Sequence, residues 1–225
     1  ILCLCIATTS AYAVTEHTGL WTGFVILGES RFGPDTKYYY DAQLKLIDDA
    51  YKFNEIYSSL GIGKRLNANW LFFLVNRFLI SKQVSNGQVN YEYRLWQEAN
   101  WHEKICVTYD LSSRSRLEER KHFSQSQINL RFRQRVMLRK QLLIWPAHSF
   151  VIYDEIFLNI NRVSWGTNNF VDQNRFFIGV GTNITKIVEA DIGYLNKYQF
   201  GSAQQITNIL GIFFNVTGKS HYYKE

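Results

Sequence analysis

The chain has 225 residues, 46% of them hydrophobic and 16% aromatic, with two prolines and a formal net charge of +6. Beyond residue 13 no apolar run approaches the roughly 20 residues of a spanning helix, whereas barrel strands need only about 9–11 each, so a membrane barrel stays open. The basic balance permits a nucleic-acid partner, but the arginines fall on alternating positions of strand-like segments and not on a helix or a flexible arm, which argues against one.

Residues 1–13 form an apolar run ending in Ala11-Tyr12-Ala13, the small-x-small pattern of a cleavage site. They are expected to be part of a signal peptide, with the mature chain starting at Val14. From there a single cysteine, Cys106, remains. That is compatible with a bacterial envelope protein and not with a disulfide-stapled secreted domain.

Alternation of apolar and polar residues, the mark of a strand, then recurs along the chain. After a segment near 18–28, residues 37–47 place Tyr38, Tyr40, Ala42, Leu44 and Leu46 against Asp41, Gln43 and Lys45. A segment follows near 54–65. Residues 69–79 are apolar on both faces, so their register cannot be read. Residues 90–98 set Tyr91, Tyr93 and Leu95 against Glu92, Arg94 and Glu98. In 107–120, Arg114, Arg116, Glu118 and Arg120 share one face. Residues 126–139 are the most telling: Ile128, Leu130, Phe132, Val136 and Leu138 oppose Asn129, Arg131, Arg133, Arg135 and Arg139.

Residues 150–160 set Ile152, Ile156, Leu158 and Ile160 against Tyr153, Glu155 and Asn159, with Asp154 breaking the apolar face. On a lipid-facing wall a basic residue at the midplane costs about 2–4 kcal/mol and an acidic one less, so Asp154 is expected near an interface or at a bulge. Segments at 174–184, 187–198 and 205–216 complete the set. Their inward glycines, Gly179, Gly181, Gly193 and Gly211, leave room for bulky neighbours such as arginine or tyrosine. Turn signals such as Gly33-Pro34-Asp35, Ser85-Asn86-Gly87 and Trp145-Pro146 separate the runs, and the longest junction is 161–172.

The expected fold is an all-β, antiparallel up-and-down transmembrane barrel spanning residues 14–216, with an arginine-rich lumen and a polar tail at 217–225. Eleven segments are counted. Bacterial single-chain barrels have an even number of strands, so the expectation is about 10–12, with 12 favoured. Alternation does not say which face is inside; a soluble barrel of the lipocalin kind would reverse it. The export signal, the chain length and aromatics read near strand ends (Trp21, Trp70, Trp96, Trp101, Trp145, Trp165, Tyr198) favour the membrane barrel, where such residues form interfacial girdles.

Several stretches resemble an uncharacterised family of bacterial outer-membrane β-barrel proteins: Arg114-Ser115-Arg116-Leu117-Glu118-Glu119-Arg120, Leu130-Arg131-Phe132-Arg133, Asp154-Glu155-Ile156-Phe157-Leu158, Asp172-Gln173-Asn174-Arg175 and Gly193-Tyr194-Leu195-Asn196. The resemblance covers roughly 18–216 and implies a fold and an outer-membrane location in a Gram-negative bacterium, but no activity. A looser, architectural likeness links the chain to small porins for acidic oligosaccharides.

The expected lumen set is Arg94, Arg114, Arg116, Arg120, Arg131, Arg133, Arg135, Arg139 and Arg175, opposed by Glu92, Glu98, Glu118, Glu155, Glu189 and Asp191. Rings of arginine select anions, so the working hypothesis is a narrow channel preferring small anionic solutes, in contact with outer-membrane lipid. The alternative is a closed structural barrel in which arginines and carboxylates pair across the ladder. A membrane-embedded lipid hydrolase is a further alternative. His122-Phe123-Ser124 has the spacing of a base and nucleophile on one strand face, with Glu119 nearby, but no catalytic residue is assigned and no enzyme is expected. The scattered histidines show no metal-ligand spacing, and no cofactor motif is present.

Overall fold

The computed structural model describes residues 14–30, 32–33, 35–83, 86–201 and 204–218. The proposed signal segment 1–13 and most of the proposed tail, 219–225, lie outside them. Each alternating segment forms one strand: β1 (Val14–Glu29), β2 (Thr36–Ile47), β3 (Lys52–Arg65), β4 (Trp70–Lys82), β5 (Val89–Cys106), β6 (Tyr109–His122), β7 (Ile128–Gln141), β8 (His148–Asn159), β9 (Val171–Asn183), β10 (Val188–Gln199) and β11 (Gln204–Thr217). Thr217, expected in the tail, ends β11.

The strands pair in chain order and close into a barrel. Neighbours along the chain are antiparallel, which forces the closing pair of an odd-numbered barrel to be parallel. β1 and β11 accordingly run side by side from Val14↔Gln204 to Leu27↔Thr217. The expectation of an even count, and of 12 strands, is therefore corrected to eleven. Parallel ladders are slightly weaker per residue; here the seam runs along most of β1.

Burial resolves which face is inside. Phe72, Leu74, Phe78, Tyr91, Tyr93, Val136, Ile178, Val180 and Leu210 are exposed on the outer wall. Arginines, carboxylates and large aromatics are buried within. Strand β4, ambiguous by pattern, turns Leu71, Phe73, Val75, Arg77 and Leu79 inward and Trp70, Phe72, Leu74 and Phe78 outward. Two inward apolar clusters flank the charged groups. One gathers Trp21, Val151, Phe177, Leu195 and Ile209; the other gathers Tyr39, Leu71, Phe73, Val75 and Trp96. Trp21 and Trp96, expected in a girdle, are thus core residues. Their positions fall on the inward-facing rows of β1 and β5, so the wall's pleat carries them inside.

The inward glycines face different neighbours: Phe213 lies beside Gly211, backbone and Phe177 beside Gly179, and backbone alone beside Gly193. A Cβ on Gly211 would lie 2.6 Å from the Phe213 ring, and one on Gly179 2.8 Å from Phe177. Gly179, Gly193 and Gly211 are neighbours across β9, β10 and β11, so they form a shallow track beside these rings. Gly181 does make room for an arginine, since a Cβ there would meet Arg139 Nη1 at 2.1 Å.

Asp154 departs from its expected place. It is the seventh of twelve residues in β8, faces outward and is exposed. The irregularity in the β8–β9 ladder lies between Phe157 and Leu158, not at Asp154. The carboxylate is instead accommodated by Asn174, whose amide donates to Oδ1 at 2.9 Å and Oδ2 at 3.1 Å.

Candidate functional site

The interior chemistry starts from a register. Arg116 pairs with Arg133, and Glu118 with Arg131, across β6 and β7, while Glu98 lies opposite Arg116 across β5 and β6. Alternation turns all of these side chains inward, where planar guanidinium forks can share carboxylates between strands.

Glu118 is the hub, with 0% of its surface exposed. It accepts from Arg133 Nη1 at 2.5 Å, from Arg131 Nη2 at 2.7 Å and Nε at 3.1 Å, and from Arg116 Nη1 at 3.4 Å. Arg131 reaches on to Asp172 at 2.9 Å. Arg133 donates through Nη2 to Glu155 at 2.8 Å, and Arg114 meets the same oxygen at 2.6 Å. Arg116 Nε bonds Glu98 at 2.6 Å, whose other oxygen accepts from Asn100 at 2.8 Å. Toward one rim Glu92 is gripped by two forks, Arg94 at 2.8 and 3.0 Å and Arg120 at 2.6 and 3.2 Å. Toward the other, Arg139 bonds Glu189 at 2.5 Å and both oxygens of Asp191 at 2.9 and 3.0 Å.

Aromatic rings fill the gaps between the charges. Phe157 lies beneath Arg133, Arg175 and Arg131, at 4.3, 4.5 and 5.0 Å from its centroid. Trp96 lies between Arg116 at 4.3 Å and Arg77 at 4.9 Å. Like Glu118, Trp96, Phe157 and Phe177 are 0% exposed. Where these groups stand, the interior is packed and not open.

Two arginines of the expected set have no carboxylate within ion-pair distance among the described residues. Arg135 lies 5.4 Å from the Tyr153 ring. Arg175 lies over Trp21 and Phe157. With the Gln173 amide oriented to satisfy both partners, its oxygen accepts from Arg175 Nε at 2.9 Å and Nη2 at 2.8 Å.

Residues 7–208 match the family described as protein of unknown function DUF2490. The chain belongs to that family. A relative, the uncharacterized protein MexAM1_META1p0181 of Methylorubrum extorquens, is 26% identical over 198 residues, covering 86% of this chain and 85% of that one. Among solved structures, the NanC porin is similar at a TM-score of 0.48 and 11% identity, over 83% of this chain and 90% of its own. LpxR from Salmonella typhimurium is similar at 0.48 and 7% identity, over 84% and 85%.

In this DUF2490 chain the interior also holds charges outside the expected set. Arg77 donates to Asp41 at 2.8 Å and to Ser59 at 2.8 Å. Lys45 bonds Glu55, and Lys37 bonds Glu29 at 3.2 Å. Asp172 and Lys197 join them. Asp41 and Lys45 were visible on the polar face of their segment. Arg77 was hidden by the two-sided apolar pattern of β4, and Asp172 by the junction assigned to 161–172.

Ser124 and His122 do meet, with Oγ 2.8 Å from Nδ1. Glu119 faces outward and is exposed, on the opposite side of the sheet from His122. The His122 ring instead packs against Trp165 at 5.7 Å, within the 160–170 connection. Among the described residues no group of three His, Cys, Asp or Glu side chains is placed to hold a metal.

Proposed function

We propose that this chain is an outer-membrane β-barrel whose lumen is sealed by its arginine–carboxylate lattice: a closed barrel, and not a continuous anion channel. The observation that carries this reading is Glu118, fully enclosed and bonded to Arg116, Arg131 and Arg133 together. A conducting lumen would leave such groups wet; here they neutralise one another across neighbouring strands. The outer wall supports the membrane assignment. A closed barrel satisfies its backbone internally, as hydrocarbon demands, and exposed Phe72, Leu74, Ile178, Val180 and Leu210 suit lipid contact.

The test is liposome swelling with the refolded full chain. Sealed vesicles should exclude glucose and glucuronate alike, while the barrel resists trypsin and shifts its gel mobility on heating. Rapid swelling in glucuronate, lost in Arg131→Gln/Arg133→Gln/Arg135→Gln, would return those arginines to an anion pathway.

A further inference from the structure

One corner of the interior does not follow the pairing rule. Lys197 of β10 and Arg175 of β9 are direct cross-strand partners, both inward-facing and half-buried. Lys45 of β2 shares the Trp21 ring with Arg175, its Nζ 4.4 Å and the Arg175 guanidinium carbon 4.9 Å from the centroid. One carboxylate, Glu55, is bonded here, and Lys45 takes it. Glu155, opposite Arg175 across β8, is bonded instead to Arg133 and Arg114. Among the described residues Lys197 has no hydrogen bond or ion pair. Its neighbour on the other side is Thr207, and the next inward pair toward the rim is Gln199 and Gln173.

Like charges directly opposite on a ladder repel, and a buried charge without a counter-charge is unfavourable. Everywhere else the chain supplies acids for most of its arginines. Here it supplies amides and a hydroxyl: the Gln173 oxygen takes Nε and Nη2 of Arg175, while Arg175 Nη1 and the Lys197 ammonium have no acceptor among the described residues. We propose that Arg175 and Lys197 hold a small soluble oxyanion carrying a carboxylate or phosphate group, with Gln173, Gln199 and Thr207 around it. Arg175 offers its remaining terminal nitrogen, Nη1, held in place by the bond of its fork to Gln173, and lysine the point charge. The site lies inside the wall, so the ligand is a solute and not a lipid headgroup. It deepens the closed-barrel reading without needing it, since swelling and ligand binding are read separately.

The test is calorimetric titration of inorganic phosphate, and separately acetate, into the refolded full chain in detergent at fixed ionic strength. Heat-unfolding midpoints are followed in parallel. One saturable site and a midpoint that rises with the anion are expected, with binding at least 10-fold weaker in Lys197→Gln and retained in Lys197→Arg. No saturable heat in the wild-type chain would overturn the site. So would a Lys197→Gln variant more stable than wild type at every phosphate concentration, because relief of repulsion would then be the whole effect. If Lys197→Gln does not fold, Arg175→Gln takes its place, and the wild-type titration decides alone.

Discussion

Two regions of the same interior treat positive charge in opposite ways. Across β5 to β8, guanidinium groups are matched by Glu92, Glu98, Glu118 and Glu155, several shared between two or three arginines. Around Trp21, Lys45 and Arg175 share the ring and Lys197 stands across the ladder from Arg175, with one bonded carboxylate, Glu55, for the three. Both regions cushion their cations on aromatic rings, so packing does not explain the contrast; the supply of acids does. A lattice matched at all but Arg135 is a seal, because its other groups already have their partners. In the under-matched corner the surplus cations are the basis of the proposed anion site.

The largest effect should come from breaking the lattice at its hub. Glu118→Ala leaves Arg116, Arg131 and Arg133 facing one another, and should cost about 3–5 kcal/mol, as removal of one partner from a buried ion pair does. Urea unfolding in detergent would show it as a lower midpoint at unchanged slope. A loss below 1 kcal/mol would mean that water already reaches these groups. Next, Gly211→Ala drives a methyl into the Phe213 ring beside the Trp21 cluster, an overpacking of about 1–3 kcal/mol. It should lower stability while leaving the lattice paired.

The outer wall gives a control of opposite sign. Asp154→Leu removes an exposed carboxylate from the middle of β8 and should raise stability in lipid by about 1 kcal/mol, less than the cost of a basic residue at the midplane. Equal or lower stability in vesicles would show that this face does not meet hydrocarbon.

The smallest effect is at the rim. Asp48, in the β2–β3 turn, bonds Lys52 and His17 at 3.0 Å each, and these bonds hold its carboxyl below the usual aspartate range. A depressed value stabilises the fold above the ordinary aspartate range, and the contribution is lost as pH falls below it. Asp48→Asn should therefore flatten the acid limb of a stability–pH curve by slightly lowering stability at neutral pH while leaving it unchanged in acid.

The wall was readable from sequence because a half-buried strand imposes a period of two, clearest in β7, where Ile128, Leu130 and Phe132 oppose Asn129, Arg131 and Arg133. β4 failed the reading because an apolar interior cluster backs it on one side and the apolar exterior on the other. Parity failed for a different reason: the parallel β1–β11 seam is a long-range pairing with no local signature. The facing of the arginines followed from alternation, but not their partners. Asp172 of β9 reaches Arg131 of β7 across the intervening strand, and Lys45 meets Arg175 over Trp21 only because the barrel closes between β1 and β11. Alternation put Trp96 on the same row as Glu92, Arg94 and Glu98, the inward face, which its reading as a girdle residue passed over; Trp21 lay in a segment apolar on both rows. Asp154 was expected near an interface or at a bulge; the bulge lies elsewhere, between Phe157 and Leu158, and a single neighbour, Asn174, accommodates the carboxylate.

The most direct measurement of the sealed lumen is single-channel recording from the refolded full chain in a planar bilayer, beside Glu118→Ala. The wild-type chain should insert and stay silent, and Glu118→Ala should show brief openings as its arginines lose their hub. Steady, anion-selective steps from the wild-type chain would contradict the seal and restore the channel.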